Sequence, residues 1–148
     1  MCTDVDASDT MAYSISGAPS TITISGTTIS GTPVNADVGT HTITVTCTDS
    51  GQASASDDYD LTVTNTNDAP TISSTAVTAV DEDAAYSYTV TAADVDSGDT
   101  VTLTGTTVPA WMTFDATTGA LTGTPTNSEV GSHAVVITAA DVAGASVT

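Results

Sequence analysis

Apolar residues alternate with small polar residues along several stretches of the chain. In residues 41–47, 86–92 and 133–139, every second position is histidine, tyrosine, cysteine or an aliphatic residue, and Thr, Ser or another small residue usually lies between. This period of two is typical of a β-strand with one buried face. Leu61 and Val63 indicate a further strand, and Gly, Pro, Asn and Asp recur roughly every 8–12 residues, as between the strands of a β-sandwich. The pattern therefore predicts an all-β protein.

The chain also repeats itself. Residues 30–49 (SGTPVNADVGTHTITVTCTD) match residues 122–141 (TGTPTNSEVGSHAVVITAAD) at an offset of 92. DVDASDT at 4–10 matches DVDSGDT at 94–100 at an offset of 90. Such a period indicates tandem domains, and we predict one domain at 1–66 and a second at 67–148. In this phase the first domain lacks its opening strands and the second its last strand, so each end of the chain is expected to cut through a domain.

The charge balance excludes several functions. The chain has 18 Asp and Glu residues, no Lys or Arg, and a formal net charge of −18. Without cationic side chains it cannot bind nucleic acid or an anionic membrane surface. No apolar run approaches the ~18 residues of a membrane helix, so we expect no membrane insertion. High charge and few aromatic residues would favour disorder, but the alternating Thr and Val pattern favours strands. Because the chain repels itself, we expect a divalent metal to neutralise it.

Carboxylates follow two of the predicted strands. Asp94 and Asp96 continue the inward face of residues 86–92, and Asp141 continues that of residues 133–139. We expect these side chains to converge at one end of the sandwich. The linker NTNDAP at 65–70 enters at this end and adds further oxygen ligands, from Asn65, Asn67 and Asp68. Ca²⁺ takes 6–8 oxygen ligands and would relieve the repulsion. The alternative is a set of solvated acids that only cap their own turns.

These residues carry a family resemblance. The linker NTNDAP, the DVD after a strand, the DED at 81–83 and the TAAD at 138–141 resemble bacterial cadherin-like repeats. PAWMTFDATTGALTGTP at 109–125 resembles the dystroglycan-type (Putative Ig) variant of those repeats. In the first unit, Thr21 stands where the second has Trp111, and Ile24 where it has Phe114. The resemblance implies tandem Greek-key, Ig-like or cadherin-like β-sandwiches with Ca²⁺ at the interdomain junctions.

The resemblance also implies which residues bind the metal, at three sites. The interdomain site would comprise Asp37, Asn65, Asn67, Asp68, Asp94, Asp96, Asp99 and Asp141. An upstream site would comprise Asp4, Asp6 and Asp49, with Asp9 as a further candidate. A downstream site would comprise Glu82 and Glu129. The family often has an acidic-basic-acidic triplet near Asp37, but only Asp37 is present here, so the number of ions stays open.

The two cysteines lie beside the upstream site. Cys2 and Cys47 each precede, by two residues, an aspartate assigned to that site, Asp4 and Asp49. Because each cysteine lies on the same face of its strand as the aspartate that follows it, the two sulfurs are expected to be neighbours across the core. An extracellular compartment would oxidise them. We therefore predict a disulfide between them. A buried pair of free thiols is the alternative, and zinc is disfavoured because two thiols without a nearby histidine are too few ligands.

Aromatic and histidine side chains admit two interpretations. Trp111, Met112 and Phe114 could present a sugar-binding platform, but such a cluster more often fills the core of a sandwich. His41 and His133 repeat at equivalent positions, which favours packing over catalysis. No catalytic triad spacing, nucleophile elbow or phosphate-binding loop is present. We therefore expect no enzyme.

The function that these observations predict is mechanical. The chain is expected to be a calcium-rigidified structural or adhesive segment of an extracellular surface protein or filament. Its expected partners are neighbouring repeats of the same chain or identical chains, with a cell-surface or polysaccharide ligand as a further possibility. One alternative is a carbohydrate-binding module. Another is a self-polymerising filament subunit completed by strand exchange.

Overall fold

A computed structural model describes residues 9–148. The chain divides into two compact units, Met1–Thr66 and Asn67–Thr148. The described residues form thirteen β-strands and two short 3₁₀ helices, Asn35–Asp37 and Asn127–Glu129. No helix in this part of the chain is long and apolar enough to cross a membrane. The prediction of an all-β protein is confirmed.

The first unit is built around one long strand. Its strands are β1 (Ala12–Ser16), β2 (Ile22–Ser25), β3 (Thr28–Gly31), β4 (Gly39–Thr48) and β5 (Ser54–Val63). β4 lies between β1 and β5 in an antiparallel sheet, and β2 and β3 form a hairpin. Ile43 is fully buried and Cys47 nearly so, whereas the alternate threonines of β4 are half-buried or exposed. The alternation in residues 41–47 therefore encodes the buried face of β4, as predicted.

The second unit has two three-stranded sheets. Its strands are β6 (Thr71–Ile72), β7 (Tyr86–Thr89), β8 (Ala92–Ala93), β9 (Thr102–Thr107), β10 (Met112–Asp115), β11 (Ala120–Gly123), β12 (Val136–Ala140) and β13 (Ser146–Val147). One sheet has the order β10-β11-β7 and the other β13-β12-β9, and β6 pairs with β8. The buried core residues come from both sheets and from the segment after β7: Tyr86, Val90, Leu121, Ile137 and Ala139.

The stretch 86–92 is not one strand, as the sequence suggested, but two strands in different sheets. Val90 lies between β7 and β8 and is 4% exposed, and its N–H donates to the Gly119 carbonyl at 2.9 Å. Gly119 has φ +72°, and a Cβ on it would lie 2.3 Å from the Val90 carbonyl oxygen. Only glycine fits this close backbone approach. The chain thus leaves the β10-β11-β7 sheet after Thr89 and enters the two-stranded β6-β8 sheet at Ala92.

The two units repeat the same strand register. Cys47 pairs with Ala55 and Thr48 with Ser54. In the second unit Ala139 pairs with Val147 and Ala140 with Ser146, each residue 92 positions later.

The repeat of the long ladder is incomplete. The β4–β5 ladder continues to Gly39 and Val63, but β12 begins only at Val136. The prediction of a strand over 133–139 is therefore wrong for residues 133–135, which have no strand partner among the described residues. Alternation fixes the face that a residue presents, but a strand also needs a neighbour with which to pair.

Candidate metal site

Acidic residues gather at one end of the second unit, where two strands stop. Asp94 and Asp96 follow β8, and Asp141 follows β12 directly. Asp99 lies in the turn after Asp96, and its backbone N–H donates to the Asp96 carbonyl at 3.1 Å. The apolar alternation of each strand gives way to aspartate at this end, so the strands themselves position the carboxylates.

Three of these carboxylates lie close together. One oxygen each from Asp94, Asp99 and Asp141 lies within 4.8 Å of the other two. The Asp94 Oδ1 atom accepts the Asp96 backbone N–H at 2.8 Å. The Asp94 Oδ2 atom is buried and has no hydrogen-bond partner in the described part of the chain. A buried carboxylate oxygen without a partner is costly, because it has given up water and gained nothing in return.

The carboxylates of Asp141 and Asp96 accept hydrogen bonds from the linker. Asp141 is 8% exposed, and its Oδ2 atom accepts the side-chain amide of Asn67 at 2.8 Å. Its Oδ1 atom accepts the backbone N–H groups of Gly144 and Ala145 at 2.6 and 2.8 Å. Asp96 is 5% exposed, and its Oδ2 atom accepts the Asp68 backbone N–H at 2.7 Å. Asn67 and Asp68 are thereby fixed to the same end of the unit as the carboxylates.

The electrostatics of the three carboxylates differ. The hydrogen bond from Asn67 is the main cause that lowers the pKa of Asp141. The pKa of Asp99 is raised, first by desolvation and then by the charges of Asp94, Asp141 and Asp96. Mutual repulsion raises the pKa of carboxylates that share a site without a cation. A bound cation would reverse this effect at Asp99.

Two further residues predicted for this site belong to the first unit. The Asp37 Oδ2 atom accepts the Thr21 hydroxyl at 2.7 Å and the Val34 backbone N–H at 3.0 Å. These bonds, the one from Val34 first, lower the pKa of Asp37. Asp37 therefore closes its own 3₁₀ turn, and Asn65 is exposed beyond β5. Their membership of the site stays a prediction.

The upstream site is described only in part. Asp49 N–H donates to the Ala53 carbonyl at 2.9 Å, as Asp141 N–H does to the Ala145 carbonyl at 3.0 Å. The turn that carries Asp141 thus recurs in the first unit. Asp9 accepts the Ser50 hydroxyl at 2.7 Å. The other predicted residues of this region, Cys2, Asp4 and Asp6, lie outside the described residues. Cys47 is disulfide-bonded, and its pairing with Cys2 stays a prediction.

The downstream acids make local contacts. The Glu129 carboxylate accepts the Thr126 backbone N–H at 2.8 Å, the Thr126 hydroxyl at 2.6 Å and the Ser128 hydroxyl at 2.9 Å. These bonds, led by the Thr126 hydroxyl, lower the pKa of Glu129. Glu129 thus closes its turn as Asp37 does 92 residues earlier, and Glu82 is exposed. A downstream site formed by these two acids stays a prediction.

The second unit also contains a cleft beside residues 131–135, which have no strand partner among the described residues. It has a volume of about 940 Å³, and Trp111, Leu121, His133 and Ile137 are among its lining residues. Trp111 packs edge-on against Tyr86 and His133, with ring centroids 6.2 and 5.9 Å apart. Its Nε1 atom is buried without a hydrogen-bond partner in the described part of the chain. Trp111 is thus half-buried in the wall of an open cleft.

Comparison with known proteins identifies the family. The model of the Putative Ig domain family matches the chain twice, over residues 2–64 and 69–148. No curated protein sequence matches the chain. The two matches agree with the repeated strand register and with the expected tandem Ig-like repeats. Ig-like domains are typically structural, non-enzymatic repeats of surface proteins. The chain consists of two tandem repeats of this kind and belongs to the Putative Ig domain family.

Proposed function

We propose that this chain is a calcium-stiffened structural segment of an extracellular surface protein, in which it spaces or supports adhesive parts. Membership of an Ig-like family supports a structural repeat. The net charge of −18, without any Lys or Arg, supports neutralisation by a divalent cation. Neighbouring repeats of the same chain or of identical chains are its partners.

One observation carries the calcium proposal. The Asp94 Oδ2 atom is buried without a partner, within a cluster in which oxygens of Asp94, Asp99 and Asp141 lie within 4.8 Å of one another. Ca²⁺ binds oxygens at about 2.3–2.6 Å, so two of its ligand oxygens lie at most about 5 Å apart. The cluster fits this limit. The donors are all oxygens, which favours Ca²⁺ over zinc, whose ligands are mainly nitrogen and sulfur.

The proposed effect of the ion is to fix the linker. Asn67 and Asp68 are hydrogen-bonded to Asp141 and Asp96. A cation that holds the carboxylate of Asp141 in place also holds the side chain bonded to it, and therefore the direction in which the chain enters the second unit. Without the cation, repulsion among the carboxylates weakens this anchor.

The test is a thermal melt of the full chain with Ca²⁺ and with a chelator. Ca²⁺ that binds only the folded protein stabilises it by about 2.7 kcal/mol at a hundredfold excess over Kd. Asp99→Asn removes one negative charge from the cluster. It breaks no hydrogen bond of the Asp99 side chain, because the structure shows none among the described residues. In chelator this variant should therefore be as stable as the wild type, or more stable, but in Ca²⁺ it should be less stable.

Asp58→Asn is the matched control, because Asp58 is an exposed acid on β5. It should leave the response to Ca²⁺ unchanged, and Mg²⁺ should stabilise the wild type less than Ca²⁺ does. If the melting temperature of the wild type is the same in Ca²⁺ and in chelator, the calcium proposal fails.

A carbohydrate-binding module is the second candidate, and the half-buried Trp111 in a cleft favours it. Aromatic rings beside polar groups are the usual platform for a sugar. Titration of soluble polysaccharides against the emission of Trp111, the only tryptophan, tests this candidate. A saturable change in emission with a defined sugar would support it.

A further inference from the structure

The cleft of the second unit lies beside an uncovered stretch of backbone. Residues 131–135 have no strand partner among the described residues, and Gly131, His133 and Val135 all line the cleft. Val135 is 36% exposed. A segment without a strand partner presents backbone N–H and C=O groups with which another strand can pair.

The first unit shows what covers the equivalent backbone. Gly39 pairs with Val63, His41 with Leu61 and Ile43 with Tyr59. Ile43 is 0% exposed, although Val135, its equivalent 92 residues later, is open to solvent. Directly opposite residues share a face of the sheet, so Tyr59, Leu61 and Val63 point to the same side as Ile43.

The register of that covering strand carries over to the second unit. Ser146 and Val147 already occupy the places of Ser54 and Ala55, at the same offset of 92. A strand that continues in this register would place an aromatic residue opposite Val135 and an aliphatic residue opposite His133. The side chain opposite His133 would lie beside Trp111, because the ring of His133 is in contact with the ring of Trp111.

The wall of the cleft also contains a buried hydrogen-bond donor that has no acceptor in the described part of the chain. The indole Nε1 atom of Trp111 is buried without an acceptor, whereas Thr21, its equivalent, donates to Asp37 at 2.7 Å. An incoming strand would bring backbone carbonyl groups to this wall, and these are hydrogen-bond acceptors.

We propose that the cleft of the second unit is an acceptor groove for one extended strand with the side-chain pattern of β5. The strand pairs antiparallel with residues 131–137 and continues the β13 register. Its residues on the side of Val135 are aromatic or aliphatic, like Tyr59, Leu61 and Val63, and those on the opposite side are acids or threonine, like Asp60 and Thr62. Backbone pairing gives the affinity, and the apolar wall selects the side chains that face it.

The test adds a synthetic peptide of residues 57–66, DDYDLTVTNT, to the full chain. Trp111 is the only tryptophan and lies in the second unit, so its selectively excited emission reports binding there and not exchange in the first unit. Its emission should shift to shorter wavelength and saturate, and amide hydrogen exchange should slow at residues 131–137. The same peptide with Tyr59→Asp and Leu61→Asp should not bind.

Val135→Asn should weaken binding of the peptide about tenfold, a change of about 1.4 kcal/mol. The matched control, Val34→Asn, alters an exposed valine of the first unit and should leave binding unchanged. The proposal is overturned if the two peptides act equally or if neither changes the emission of Trp111. It is also overturned if the chain alone forms dimers whose Trp111 is already shielded and no longer responds, because a second copy then fills the cleft.

Discussion

Ile43 and Val135 occupy the same position of the repeat but different environments, and this difference predicts the effect of truncating each to alanine. Ile43→Ala deletes three carbon groups, each worth about 0.8 kcal/mol when buried. Ile43 is 0% exposed, so a cavity remains, and the total loss should reach about 2–5 kcal/mol. Val135→Ala deletes two carbon groups from a side chain that is 36% exposed. It should cost about 1 kcal/mol or less.

Urea unfolding measures both losses. The emission of Trp111 follows the second unit, whereas far-ultraviolet circular dichroism follows the strands of both units, so a loss of dichroism without a change in emission reports the first unit. Val34→Ala is the surface control, since Val34 is 53% exposed and should change stability by less than about 0.5 kcal/mol. Equal losses for Ile43→Ala and Val135→Ala would refute the reasoning, because Val135 would then be as well covered as Ile43. Binding of the β5 peptide should raise the cost of Val135→Ala.

Three further changes have defined outcomes. Gly119→Ala should destabilise the protein more than Gly26→Ala in thermal melts, because both glycines have positive φ but only Gly119 would place a Cβ 2.3 Å from the Val90 carbonyl oxygen; equal costs would contradict this. The pKa of Asp115 is lowered, first by the backbone N–H of Thr117, so its stabilising charge is present above the unfolded pKa and lost as pH falls through the folded pKa. The difference in melting temperature between wild type and Asp115→Asn should therefore narrow in acid. A difference that stays constant with pH would contradict a stabilising role for the Asp115 charge. Reduction should lower the melting temperature, since a bridge between Cys2 and Cys47 closes a loop of about 45 residues and contributes ~4 kcal/mol; two thiols that titrate without reductant would exclude the bridge.

The sequence predicted those parts of the fold that depend on which face a side chain presents. The alternation in β4 is strict, and the structure has one continuous strand there because β1 and β5 flank it. The same alternation at 133–135 produced no strand, because these residues have no strand partner among the described residues and alternation does not specify a partner. The break at Val90 was also hidden, because it depends on the approach of Gly119, a contact between residues distant in sequence.

The candidate metal site was likewise predicted from the sequence only in part. Parity placed Asp94 and Asp141 at one end of the second unit, where the structure brings their oxygens close to Asp99. The unpartnered Asp94 Oδ2 atom could not be predicted, because it depends on which nearby N–H groups are already taken. Asp96 looked equivalent to Asp94 in the sequence, but its carboxylate accepts the Asp68 N–H. The volume of the cleft beside Trp111 and the side chains that line it depend on contacts between residues distant in sequence, which the alternation does not contain.

The strand order of the first unit determines how that unit carries tension. β1 and β5 are each antiparallel to β4, so they run in the same direction on either side of it. A pull on the chain before Ala12 and after Val63 therefore drags β1 and β5 in opposite directions along their own axes. The hydrogen bonds of an antiparallel ladder lie perpendicular to its strands, so this pull loads the β4–β5 bonds in shear. We therefore expect these bonds to resist together and not to open one after another from an end, so the first unit should be stiff under load.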